Sequence, residues 1–121
     1  MTDSPWLGVD VYWAGHAHYY MRFDGPLWNG TLVPDASTHN PKGTLHVNTG
    51  NGGPPGHVPN EQCEALHGAK CIGLPYSYSR VTIHNATDLS WEQVANNGSA
   101  IIDSWTIHQE QHGHHTPPTR D

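Results

Sequence analysis

The strongest constraint on this chain is a short stretch near its start, Val9-Asp10-Val11-Tyr12-Trp13-Ala14-Gly15-His16-Ala17-His18-Tyr19-Tyr20-Met21-Arg22. Two β-branched and two aromatic residues between Val9 and Ala14 read as a strand buried on both faces, and such a strand needs neighbours on either side. It delivers two histidines, two residues apart, directly after a glycine. Along an extended backbone residues 16 and 18 point to the same side, so both imidazoles can converge on one metal or on two adjacent metals. The turn after such a strand is also where open α/β sheets place ligands. Spacing alone decides little, because 11 histidines among 121 residues give about one such pair by chance.

The rest of the chain reads as strands joined by long connections. Tyr19 to Phe23 continues as a short extended segment, and Gly25-Pro26 and Asn29-Gly30 mark turns before Thr31 to Val33. Residues Pro34 to Lys42 form a polar loop. Thr44 to Thr49 alternates as a strand, and a Gly- and Pro-rich segment follows to Pro75, with Glu61 to His67 its one helical candidate. Tyr78 to His84, Leu89 to Val94 and Ala100 to His108 are three strand-like runs whose turn residues are those of an antiparallel meander. Val81, Ile83, Leu89, Trp91, Ile101, Trp105 and Ile107 would share one face of it, interrupted by Asp103. The expected fold is therefore α+β or mainly β, over residues 1–108. Residues 109–121 are expected to be a mobile tail carrying His112, His114 and His115.

Composition agrees with a loop-rich β domain. Hydrophobic residues are 35% of the chain, and 13 Gly and 10 Pro argue against a helical bundle. Five Lys and Arg against 11 Asp and Glu give a formal net charge of -6, which leaves no basic surface for nucleic acid. No apolar run is long enough for a membrane span.

Cys63 and Cys71 enclose seven residues, close enough for a small disulfide loop in an oxidising compartment. Sequons at Asn29, Asn85 and Asn97 point the same way, toward a secreted or extracellular glycoprotein. The N-terminus has neither a basic start nor an apolar core, so no signal peptide is read there. Met1 is then expected not to be the parent protein's start.

Gly15, His16, His18, Tyr20 and Arg22 together resemble the last metal-binding block of the purple acid phosphatases, within the calcineurin-like metallophosphoesterases. Gly43 to Gly53 is similar to that family's strand and glycine-rich loop. Tyr78 to Thr87, with Leu89 and Trp91, resembles its C-terminal hairpin. Met21 and Pro54 depart from the family's usual Glu and Asn. The resemblance implies the C-terminal part of a metallophosphoesterase β-sandwich. It also implies an acid phosphatase hydrolysing phosphomonoesters through a dinuclear centre of Fe with Zn, Mn or Fe. His16 would ligate the divalent metal and His18 the ferric ion, with Tyr20 and Arg22 bonding or packing behind them, although plain strand packing accounts for those two residues equally well.

The Gly-Asp-x-Gly, Gly-Asp-x-x-Tyr and Gly-Asn-His blocks that complete such a centre are absent from the chain. The segment is expected to be incomplete and inactive alone, because two imidazoles fall short of a catalytic metal's ligands. Two other classes fit the residues: an extracellular β module that self-assembles or binds a partner through an apolar strand edge, and a His-rich metal binder using His16 and His18 with His112, His114 and His115.

Overall fold

The computed structural model describes residues 8–28, 30–33, 37–53, 69–73 and 75–112. All regular structure among them is strand: β1 (Val11–Ala14), β2 (Tyr20–Phe23), β3 (Leu27–Trp28), β4 (Thr31–Leu32), β5 (Leu45–Thr49), β6 (Ala69–Ile72), β7 (Ser77–Ile83), β8 (Asp88–Ala95) and β9 (Ile101–His108). They form a four-stranded sheet in the order β1-β5-β2-β6, a small β3-β4 ladder and a three-stranded meander, β7-β8-β9.

The meander follows from period-two alternation. Antiparallel register sets Val81 beside Trp91 and Trp91 beside Trp105, and sets Ile83 beside Leu89 and Leu89 beside Ile107. One face is thereby apolar as expected. The Asn85 Oδ1 atom accepts from the Thr87 and Asp88 backbone N–H groups, which closes the first hairpin. A register shift between Gln93 and Val94 disturbs the second hairpin. Ile101 beyond it is 51% exposed, and Ile83 at the opposite margin is 74% exposed, so neither belongs to the core.

The other sheet corrects the reading of the first strand. Among the described residues β1 pairs with β5 alone, in parallel, and so lies at an edge, with Trp13 half-exposed. The strand buried on both faces is β5, which has β1 on one side and β2 on the other. Apolar content does not distinguish an edge strand from a central one when a single neighbour and a facing sheet cover most of its side chains.

β6 is a second correction, since Ala69–Ile72 was expected within a long connection. It adds to β2 with Tyr20 beside Ile72 and Arg22 beside Lys70. The helical candidate Glu61 to His67 lies outside the described residues. Residue 109 opens the expected tail. Gln109 is buried and donates to the Pro41 carbonyl at 3.0 Å and to Asp10 Oδ1 at 3.2 Å.

The two larger sheets pack face to face. Tyr20, Leu45 and Val47 from one and Trp91 and Ile107 from the other make the core, with Val11, Ile72, Val81 and Trp105 packed around it. Trp13 meets Trp91 edge-on at 4.8 Å, and Trp91 stacks on Trp105 at 4.9 Å. These aromatic contacts seat the end of β1, and the loop that follows it, on the meander.

Candidate functional site

The histidine pair lies in the loop between β1 and β2, at the end of the strand that was expected to present it. Its local geometry differs from the expectation. His16 has φ 78°, a left-handed conformation uncommon for a residue with a side chain. Residues 16 and 18 are therefore not presented by simple extended alternation. His16 is exposed and His18 half-buried.

Three successive residues at the end of β5 hold this loop. Asn48 is 5% exposed, and its Nδ2 donates to the carbonyl of Ala17 at 2.9 Å and to that of Tyr19 at 2.6 Å. The Thr49 hydroxyl accepts from Trp13 Nε1 at 3.2 Å. The Gly50 amide donates to the Tyr19 carbonyl at 3.3 Å, and a Cβ at position 50 would overlap the Ala17 carbonyl oxygen. Glycine is needed there because two backbones meet. Sequence reasoning passed over Asn48, although a signal was present: asparagine is depleted from strands, and a buried one must satisfy its amide.

Tyr20 and Arg22 lie on β2, the strand that leaves the loop. Their side chains converge on Asp103 of the meander: Tyr20 Oη donates at 2.6 Å, Arg22 Nε at 2.7 Å and Arg22 Nη2 at 3.0 Å. Lys70 Nζ of β6 adds a contact at 3.2 Å. Burial alone would raise the Asp103 carboxyl, but hydrogen bonds from Arg22 and Tyr20 outweigh it and hold the group below the usual carboxylate range. The Tyr20 phenol is pushed above its ordinary value by burial and by its bond to Asp103. The residue that interrupts the apolar face of the meander is thus the polar tie between the two sheets.

A second titratable cluster lies at the far end of β9. His108 Nδ1 contacts Asp88 at 2.6 Å and its Nε2 contacts Glu110 at 3.3 Å, while His39 stacks on its ring at 4.8 Å. Of the expected tail histidines, His112 bonds the Ala86 carbonyl, and His114 and His115 lie outside the described residues. Among the described residues no group of three His, Cys, Asp or Glu side chains could hold a metal. The braced loop carries His16 and His18, and two imidazole nitrogens would fit part of a metal's coordination and not the whole.

Of the sequons, Asn85 and Asn97 are exposed and lie in connections of the meander, while Asn29 is outside the described residues. Cys71 lies in β6, and its expected partner Cys63 lies outside the described residues. No helix among the described residues is long and apolar enough to cross a membrane.

A sequence model for iron/zinc purple acid phosphatase-like protein C matches residues 43–104, from the approach to β5 into β9 and therefore over the bracing end of β5 and the meander. The chain belongs to the purple acid phosphatase family. Within the family, it is 30% identical over 115 residues to an acid phosphatase of Aspergillus ficuum, covering 87% of this chain and 19% of that protein. It is 28% identical over 105 residues to a nucleotide pyrophosphatase/phosphodiesterase of Hordeum vulgare, covering 84% of this chain and 28% of that one. The fold matches purple acid phosphatase PPD1 from yellow lupin seeds with a TM-score of 0.68 at 21% identity, over 96% of this chain and 22% of that structure. The chain spans less than a third of each of these relatives.

Proposed function

We propose that this chain is the C-terminal segment of a secreted, metal-dependent acid phosphatase, and that His16 and His18 are its contribution to a two-metal centre acting on phosphomonoesters. The observation that supports the reading is the braced loop after β1, which carries His16 and His18 at one end of the parallel β1 and β5 pair in a chain of this family. Metal bound there would supply Lewis-acid charge to the phosphoryl oxygens and lower the pKa of water. This chain's part would be to offer two imidazole nitrogens from the braced loop, with the Asp103 tie fixing the strand that leaves it. The remaining ligands would come from outside the segment, so the chain alone should show no appreciable turnover.

The test is a chimera in which this segment replaces the corresponding part of the Aspergillus ficuum acid phosphatase, assayed with a chromogenic phosphomonoester at acidic pH with iron and zinc supplied. Activity should appear and should fall by several orders of magnitude in His16→Ala and His18→Ala. A folded chimera whose activity ignored both substitutions would refute the assignment. The half-exposed Trp13 on edge strand β1 favours one further reading, a module that associates through that edge. Sedimentation of the 121-residue chain separates the two, since that reading requires concentration-dependent mass.

A further inference from the structure

We propose that Asn48 is the positioning residue of the histidine loop, presetting His16 and His18 through the backbone between and after them. The inference rests on the reading of those histidines as metal ligands and goes beyond it by assigning their geometry to a residue on another strand. The loop has to hold His16 at a positive φ, a conformation that persists only when its surroundings impose it. Asn48 supplies that constraint in an economical form. Both N–H bonds of one buried amide are used, one on Ala17, which lies between the two histidines, and one on Tyr19, which follows the second.

The amide cannot reach those carbonyls by chance of rotamer alone. Asn48 pairs in register with Ala14 on one side and with Met21 on the other, so its strand is fixed between the two that flank the loop. The Gly50 amide bonds the Tyr19 carbonyl as well, and the Gly50 backbone occupies the space beside Ala17. Asn48 is thus the side-chain member of a brace whose other parts are backbone. Losing it removes the side-chain donor from both carbonyls, leaving Ala17 with the Tyr19 amide and Tyr19 with the Gly50 amide, and the loop freer to relax from its left-handed turn.

The experiment uses the 121-residue chain as wild type, Asn48→Leu and Asn48→Asp. Aspartate preserves the shape but has no N–H to offer. Backbone 15N relaxation of residues 15–19 is measured first, at a temperature where circular dichroism shows all three folded. Zinc chloride is then titrated while the His16 and His18 ring resonances are followed individually, so that tail histidines do not enter the result. The wild type should show a rigid loop and a common zinc midpoint for both rings. Each variant should show a mobile loop and a midpoint raised about tenfold or more, the scale seen when groups that orient metal ligands are removed. Unchanged relaxation, or a mobile loop with an unchanged zinc midpoint, would overturn the proposal. Wild-type rings that ignore zinc would overturn the ligand reading, and loop relaxation would then decide the brace by itself. If Asn48→Leu failed to fold, Asn48→Asp would carry the comparison, and Asn48→Ser would replace it if both failed.

Discussion

Replacing Asp103 with alanine should destabilise this protein more than removing any other charge among the described residues. The Asp103 side chain is 3% exposed and accepts from Tyr20, from two nitrogens of Arg22 and from Lys70. Removing one partner of a buried ion pair costs about 3–5 kcal/mol, because the other charge stays behind without compensation. Arg22 is 19% and Lys70 43% exposed, so both regain some water. Tyr20 is fully buried and does not. These terms place Asp103→Ala at the lower end, about 3 kcal/mol, or on the order of 12 °C in melting temperature for a domain of this size. Tyr20→Phe, which removes one hydrogen bond to a charged acceptor, should cost about 1.5–2 kcal/mol.

The assay is urea unfolding followed by tryptophan fluorescence, with Trp91 and Trp105 reporting the core. An internal control is the exposed Arg80–Glu92 pair at 2.9 Å, where Glu92→Gln should change stability by less than about 1 kcal/mol. The pair of substitutions Asp103→Leu with Arg22→Met should lose less than Asp103→Leu alone, since it removes both buried charges together. An Asp103→Ala protein within about 1 kcal/mol of wild type would refute the argument that this carboxylate ties the sheets.

Two further outcomes follow from other parts of the molecule. Asp88, held down to about 2 by hydrogen bonds from Thr87 and His108, stabilises above the unfolded carboxyl value and loses that effect as pH falls toward 2. His108, pushed up by Asp88 and Glu110, stabilises below the unfolded imidazole value and loses the effect as pH rises through its folded value. His39 faces the same ring. His108→Gln should therefore lower the melting temperature most between about pH 4 and 6.5, and thermal scans showing a pH-independent difference would contradict this. Mass spectrometry of the unreduced protein should recover Cys71 linked to Cys63, and alkylation of both thiols without reduction would exclude that pairing.

How far the fold was legible depended on which physical signal each element carried. β7, β8 and β9 alternate over seven or eight residues and were readable to within a residue or two. β6, Ala-Lys-Cys-Ile, has no alternation and follows a Gly- and Pro-rich stretch, so only its tertiary neighbour β2 makes it a strand. β1 was found but assigned the wrong depth, because side-chain character reports apolarity and not the number of neighbouring strands. The histidine loop was legible in position and in residue type. Its left-handed turn at His16 and its brace at Asn48 were not, since both arise from the approach of a strand some thirty residues away. Asp103 looked like a flaw in an apolar face, and its role became visible only when Tyr20 and Arg22 arrived from the opposing sheet.

The separation of those partners along the chain orders the folding process. Neighbouring strands of the meander pair through short turns, whereas Asp103 meets Tyr20 and Arg22 across 83 and 81 residues. Contacts that close long loops form late, after local ones have already paid their smaller entropy. The meander is then the platform on which the other sheet condenses, and β1 and β2 reach their final places only when β5 has come between them. The loop carrying His16 and His18 is consequently among the last parts to take shape, and a nascent chain presents no ordered histidine pair until its sandwich has closed.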